Sequence, residues 1–506
     1  MRQGCDVPSR PDARGEMGTI RNLVILHNND LHGDFLAEKA PKPHETLGGL
    51  ALLSGYINQV KAEEGADNVV YVVAGDMVQG SIIDSEFKGA STIDMMNYIA
   101  PDVVGLGNHE IDYGLPHLLF LEKIASFPIV NANLYVKPFD KRLMRPYQII
   151  QRQGLDILFT GILTEKVMDA LMLDSNIGTF ITLKAAAEEI GVICNAHRND
   201  DIDLTVIITH IGFESDVELA KLLDPAWGVD MIIGGHSHTT LEQPVEVNGV
   251  IIAQAGTGSN QIGRFDLTVD DDTNLILDWS WRLVPIDSAT CSPDEGMIAH
   301  IKAFKDPVDR KYNAILGHLA EKLTHPQREI ETTLGNLFAD ALAASLGSDV
   351  VLLGAGSVRV KELGPVVTLG DFSACFPYDD SITRFTIDGG MLKRMFARFM
   401  RNANRDGEGE CYQVNGTVRA VHDDASDLLV SLTIAGQEPH DDDLFTLCLQ
   451  SYHATNAEAY LGATAQELEK AAAPKVVTTS AAEVLQEWLR GHPKESRAIE
   501  GRLVYR

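Results

Sequence analysis

The chain of 506 residues is 45% apolar and carries 42 Lys and Arg against 72 Asp and Glu, a net charge of −30. That length holds two or three domains with ample apolar material for more than one core. The acidic excess disfavours nucleic acid polymers and anionic membranes as partners, and without a run of about 18 apolar residues no membrane span is expected.

In chain order, Met1 to Met17 contains no apolar stretch of signal-peptide length, and residues 1–19 read as a flexible extension of a cytoplasmic protein. Five apolar runs follow, beginning at Leu23, Val69, Val103, Leu204 and Met231. Each is a continuous Val/Ile/Leu stretch that stops at Gly, Asn, Asp or His, the pattern of a strand covered on both faces. Helix-like stretches at Gly49–Glu64 and Ala185–His197 alternate with them. The catalytic half spans residues 20–290, closing after Trp279-Ser-Trp at the turn-rich Asp287–Asp294. From Glu295 to Lys322, Ile301, Phe304, Val308, Tyr312 and Ile315 follow a period near 3.6, so residues 291–325 read as a helical connector. Residues 326–506 mix predicted helices (Asn336–Ser345, Gly390–Asn402) with strands (Val350–Leu353, Ser381–Ile387, Leu428–Ile434), an α+β domain. The six cysteines are widely spaced with no Cys-x-x-Cys pair, which speaks against a disulfide framework or zinc knuckle.

The strand ends carry the chemistry. Together they supply Asp30, His32, Asp76, Asn108, His210, His236 and His238. Taken singly, an Asp or Asn after a strand is an ordinary turn former and a His an ordinary surface residue; seven such residues, each placed after a strand, are a ligand set. Three oxygens and four imidazoles with no thiolate suit Mn, Fe, Co or Zn better than Ca or Mg. The set is too large for one tetrahedral ion, so two divalent ions bridged by a shared carboxylate is the economical arrangement. A small phosphorylated substrate can enter despite the acidic surface, because divalent ions reverse the field locally.

Asp30-Leu31-His32-Gly33, Gly75-Asp76, Gly107-Asn108-His109-Glu110-Ile111-Asp112, His210 and Gly235-His236-Ser237-His238 resemble the motifs of the calcineurin-like metallophosphoesterases. Gly48-Gly49-Leu50-Ala51, Glu331 to Asp340 and Gly354 to Arg359 resemble the 5'-nucleotidase and UDP-sugar hydrolase branch, over roughly residues 20 to 465. The resemblance implies an α/β fold with a layered β-sandwich flanked by helices, followed by a substrate-binding α+β domain. It also implies that Asp30, His32, Asp76 and His238 hold one ion and Asp76, Asn108, His210 and His236 the other. Asn108 also stands at the substrate. His109 resembles the non-ligand imidazole that meets the phosphate or the leaving oxygen. Asp112 either orients that ring or caps a turn. In the C-terminal domain the resemblance places Arg359, Tyr378, Tyr452 and Glu458 at the substrate, the two tyrosines stacking on a base or, on the other reading, packing the core. The chain departs from the family at Gly354, where an asparagine is usual, and at Ser348, where a second arginine is.

Three functions are therefore expected in order: a two-metal hydrolase of nucleotides, most simply a 5'-nucleotidase; the same centre acting on cyclic nucleotides, nucleotide sugars or other phosphorylated metabolites; and a metal-stabilised binding protein without catalysis. The oligomeric state has no signature in the sequence.

Overall fold

The computed structural model describes residues 19–40, 45–136, 141–164, 179–180, 182–405 and 409–506. The expected extension at residues 1–19 falls outside them, apart from Thr19. The chain forms two compact units, Met1–Val308 and Asp309–Arg506.

The first unit is built on two six-stranded sheets. One runs Leu275–Pro285, Gln261–Asp270, Ile20–Asn28, Val69–Ala74, Val103–Gly105, Ile129–Val130; the other runs Val245–Val247, Val250–Ala253, Met231–Ile233, Leu204–His210, Leu155–Leu163, Tyr147–Arg152. The four strands from Ile20–Asn28 to Ile129–Val130 are parallel, as are Leu155–Leu163, Leu204–His210, Met231–Ile233 and Val250–Ala253. Antiparallel strands close every edge but that of Ile129–Val130. Successive side chains of a strand point to opposite faces, and both faces are used. Val70, Val72 and Ala74 pack with Val206, Ile208 and Ile233 in one core between the sheets. Ile207, Ile232 and Ile252 face the other way, onto Ala187, Ile190 and Leu219 of the helices Leu183–Ala196 and Phe213–Leu222. Burial on both sides is why these strands read as unbroken apolar runs rather than as alternation. Each large aliphatic side chain placed there stabilises the fold by about 1.5–3 kcal/mol.

The second unit centres on a five-stranded sheet, in the order Tyr412–Val414, Val350–Gly354, Leu444–Gln450, Ile382–Asp388, Lys475–Thr478. The strand Val350–Gly354 feeds two cores. Val350 and Leu352 pack on Met391, Met395 and Phe399 of the helix Gly389–Phe399, while Val351 and Leu353 pack on Leu334, Phe338 and Leu342 of the helix Thr333–Leu346. Leu428–Ile434, Val418–Asp423 and Leu503–Tyr505 make a separate three-stranded sheet. Glu331 and Asp340 of the family-like motif are structural here. Glu331 accepts from Asn336 Nδ2 and from the Glu500 and Arg502 N–H groups, and Asp340 pairs with the fully buried Arg502, so both pin the C-terminal segment.

The connector differs from its sequence reading. Its helix, Glu295–Tyr312, buries Met297, Ile301 and Val308 but ends at Tyr312. Ile315–His318 is a strand paired with Val366–Thr368, and Ile315 itself is exposed. Ile315 is in phase with the helix in sequence, but strand pairing with a segment about fifty residues away outweighs local periodicity. Among the described residues the five cysteines are buried and free, and no helix is long and apolar enough to cross a membrane.

Candidate active site

All seven expected ligands come together where the parallel strands of the two sheets end. The loops after Ile20–Asn28 and Val69–Ala74 continue the strand pairing past the sheet: Asp30 N–H donates to Gly75 O (3.0 Å), His32 N–H to Asp76 O (3.0 Å) and Gly33 N–H to Met77 O (2.8 Å). The loop from the second sheet docks on the first, with His236 N–H donating to both Asp30 oxygens at 3.2 and 3.0 Å. Five of the seven hold a left-handed backbone: Asp30 (φ 53°), His32 (49°), Asp76 (51°), His236 (81°) and His238 (53°). Such a conformation costs an L-residue roughly 1–2 kcal/mol, and strain of this kind concentrates at functional sites. Space is equally tight. A Cβ on Gly107 would stand 2.1 Å from Asp76 N, and one on Gly235 would stand 2.6 Å from Ala74 O, so neither glycine has room for a side chain.

The donor atoms form overlapping groups, each with its atoms within 4.8 Å of one another: Asp30, His32 and His238 in one, Asp76, His210 and His236 in a second, and His32, Asp76 and His109 in a third that joins them. In the first, His32 Nε2 lies 3.1 Å from His238 Nε2, and His238 Nε2 lies 3.3 Å from Asp30 Oδ1. In the second, His210 Nε2 lies 3.0 Å from Asp76 Oδ2 and 3.1 Å from Asn108 Oδ1, which is also 2.8 Å from His236 Nδ1. Ligands at about 2.0–2.2 Å from one ion stand roughly 3 Å apart when near right angles, so this spacing fits metal-sharing donors. Ring orientation fits as well: His32 Nδ1 donates to Gln79 O and His210 Nδ1 to Ala74 O, so Nε2 is the ring atom that each turns toward the site. Asp30 and Asp76 are buried and, among the described residues, meet imidazoles and no Lys or Arg. Burial works against charge on both Asp76 and His210. Their mutual attraction nonetheless holds Asp76 below the usual carboxylate range and, with Asp30, pulls His210 toward the imidazolium. The cluster therefore attracts positive charge strongly, as a site for divalent cations must.

His109 stands at the edge of this cluster. Its Nδ1 is 2.6 Å from Asp112 Oδ2, which favours orientation of the ring over simple capping of a turn, and its Nε2 lies 4.0 Å from Asp76 Oδ2. The hydrogen bond that His109 Nδ1–H donates to Asp112 raises the His109 pKa; burial opposes it, and the charge of Asp76 adds to the rise.

Several supports have no legible role in the sequence. Glu110 is fully buried and its carboxylate accepts from four backbone N–H groups: Met77 and Gly107 at 2.7 Å, Asp76 at 3.0 Å and Val78 at 3.3 Å. It clamps the loop that carries Asp76, while burial and the Asp76 charge raise its pKa to about 7. Asn29 Nδ2 donates to Asp30 Oδ2 at 2.6 Å. Asp216, pushed by burial up to about 7, accepts from Thr209 Oγ1 and Gln254 Nε2 beneath the His210 and His236 loops. The glutamate next to the Asn-His pair is the only one of these that a motif flags.

In the second unit, Arg359, Tyr378 and Tyr452 line one cavity of about 620 Å³, together with Arg328, Glu410 and His453. Both tyrosines are 53% exposed, which rules out the core-packing reading. The Arg359 guanidinium lies 5.5 Å from the centre of the Tyr378 ring, a cation–π distance. Glu458 is not brought there. It is exposed on the short helix Ala457–Leu461 and does not line the cavity. The segment from Tyr452 to Glu458 folds as two short helices, Ser451–Thr455 and Ala457–Leu461, so linear spacing was a poor guide to direction.

Residues 23–240 match the calcineurin-like phosphoesterase family, and with the metal-type cluster they define this unit as a metallophosphoesterase, a metal-dependent phosphoric ester hydrolase. Residues 315–464 match the 5'-nucleotidase C-terminal domain, and the chain belongs to the 5'-nucleotidase family. A 5'-nucleotidase of Vibrio cholerae is 26% identical over 435 residues, 76% of this chain and 76% of that protein. The endonuclease YhcR of Bacillus subtilis is 26% identical over 467 residues, covering 86% of this chain; the chain spans 37% of that protein's length. In fold, the chain is similar to a 5'-nucleotidase precursor from Thermus thermophilus, with a TM-score of 0.58 at 20% identity over 96% of this chain and 99% of that one.

Proposed function

We propose that this protein releases phosphate from nucleotides, most simply nucleoside 5'-monophosphates, with two divalent ions drawn from Mn, Zn, Co or Fe. The observation that carries the reading is the pairing of the His109–Asp112 dyad with the seven-residue donor cluster. A purely structural metal site has no use for an oriented imidazole outside the ligand set.

Asp30, His32, Asp76 and His238 would hold one ion and Asp76, Asn108, His210 and His236 the other. Bound there, divalent ions neutralise phosphoryl oxygens and acidify water for attack on phosphorus. The chain's own residues do the rest. Asp112 keeps the His109 proton on Nδ1 and favours the imidazolium, so Nε2–H can donate to negative charge developing on the leaving oxygen. Glu110 holds Asp76 in its strained backbone. Tyr378 and Tyr452 offer exposed rings to a base, and Arg359 stiffens the first of them.

The named relatives include an endonuclease, but a net charge of −30 opposes a polymer substrate for this chain. Free phosphate released from a panel of nucleoside monophosphates, cyclic nucleotides, nucleotide sugars and p-nitrophenyl phosphate tests the reading. Turnover should be greatest on a nucleoside 5'-monophosphate. Turnover only on esters without a base would refute nucleotide specificity, and none on any ester would leave a binding protein.

A further inference from the structure

The cavity of the second unit holds three carboxylates, those of Asp379, Asp380 and Glu410, and they differ in what already occupies them. Asp380 accepts from Ser451 Oγ and from Tyr452 N–H, so its oxygens hold the start of the helix Ser451–Thr455. Asp379 accepts from Ala482 N–H at 3.3 Å. Glu410 receives no hydrogen bond from any described residue; its ion-pair contact is His453 Nε2, 3.6 Å from Oε1.

The chain goes to some length to place that histidine. His453 is buried, with the Tyr412 ring against it at 5.2 Å. Its ring stands where any side chain at position 354 would be: a Cβ on Gly354 would meet His453 Cε1 at 2.1 Å. Gly354, where the chain departs from its family, is thus the space that lets the imidazole reach Glu410.

A carboxylate accepts hydrogen bonds and cannot donate them, and its two oxygens present paired acceptor sites. With a side chain only 16% exposed and no hydrogen bond from a described residue, Glu410 has acceptor capacity that a ligand donor can fill. We infer that Glu410 is the specificity-determining residue of this cavity and selects nucleosides that present two adjacent hydrogen-bond donors. The inference rests on the nucleotide reading above. Two parts of a nucleoside carry this chemistry: the N1–H and N2–H edge of guanine, and the cis-diol of ribose. Adenine's corresponding edge sets an acceptor beside its donor, and that acceptor would face the carboxylate.

The test measures binding to the full chain by calorimetry, using guanosine, inosine, which lacks one base donor, and 2'-deoxyguanosine, which lacks the diol. A charged hydrogen bond lost on binding weakens affinity by about ten- to a hundredfold. A loss of that size for inosine assigns Glu410 to the base edge; a loss for 2'-deoxyguanosine assigns it to the sugar. In Glu410→Gln that difference should vanish, with guanosine falling to the level of the weaker ligand. The inference is overturned if the three nucleosides bind the unaltered protein alike, or if the difference survives in Glu410→Gln. The first of these comparisons needs no variant to fold. Absence of binding by every nucleoside overturns the nucleoside reading of the cavity together with this inference.

Discussion

Replacing Glu110 by Gln keeps the shape of the side chain but turns one acceptor oxygen into a donating amide. Oε2 serves the Asp76 and Gly107 N–H groups and Oε1 serves those of Met77 and Val78. Whichever oxygen is lost, two backbone donors then face an NH₂ group in a fully buried site. A buried donor left unmade costs about 1–3 kcal/mol, so the pair costs roughly 2–6 kcal/mol. The local way to relieve that cost is to move the loop that carries Asp76 in its left-handed conformation. The damage should therefore register in metal binding, where loss of a supporting partner typically costs about 10–100-fold in affinity. Because burial raises the Glu110 pKa to about 7, the assay belongs near pH 8, with the carboxylate ionised. Calorimetric titration of Mn into metal-stripped protein, unaltered and Glu110→Gln, reads the effect directly, and circular dichroism confirms that both are folded. Equal Mn affinity in the two proteins would refute the assignment of Glu110 as the clamp of this loop.

Three further outcomes follow from the same geometry. His109→Ala should leave metal content near normal and lower turnover by roughly a hundredfold or more, the effect of removing a positioned acid; elemental analysis that finds a site emptied would make His109 a ligand. The hydrogen bond to Asp112, against the opposing effect of burial and with help from the Asp76 and Glu110 charges, raises the His109 pKa. The imidazolium therefore persists above its ordinary pH range and is lost as pH rises through the raised value. Asp112→Asn removes the largest cause, so the alkaline limb of the kcat profile should move to lower pH; a limb that stays in place points to another group. Tyr378→Ala or Tyr452→Ala should raise KM for a nucleotide by about ten- to a hundredfold, from the roughly 1–3 kcal/mol of a base–aromatic stack. p-Nitrophenyl phosphate should be affected far less, and equal losses on both substrates would contradict a base clamp.

The strands and the ligand set are legible in the sequence because two physical signals coincide at each position: an apolar run buried on both faces, and a polar residue where the apolar run stops. Val69–Ala74 followed by Gly75-Asp76 is the plainest case. What stayed hidden depends on partners distant in sequence. Glu110 acts on backbone N–H groups, which leave no mark in side-chain identity. Glu410 and His453 meet across the second unit, and their relation is visible only in the space kept open at Gly354. Glu458 was misplaced because two short helices turn it outward, and Ile315 because a strand partner took it from the helix.

The central claim, hydrolysis at a shared metal cluster, is tested most directly by measuring metal content and phosphate release on the same sample, for the unaltered protein and for Asp76→Asn after loading with Mn or Co. The account predicts two ions per chain and metal-dependent release from a nucleoside 5'-monophosphate in the first, with ions lost and turnover down by orders of magnitude in the second. Only trace metal in the loaded protein, or full turnover by Asp76→Asn, would contradict it.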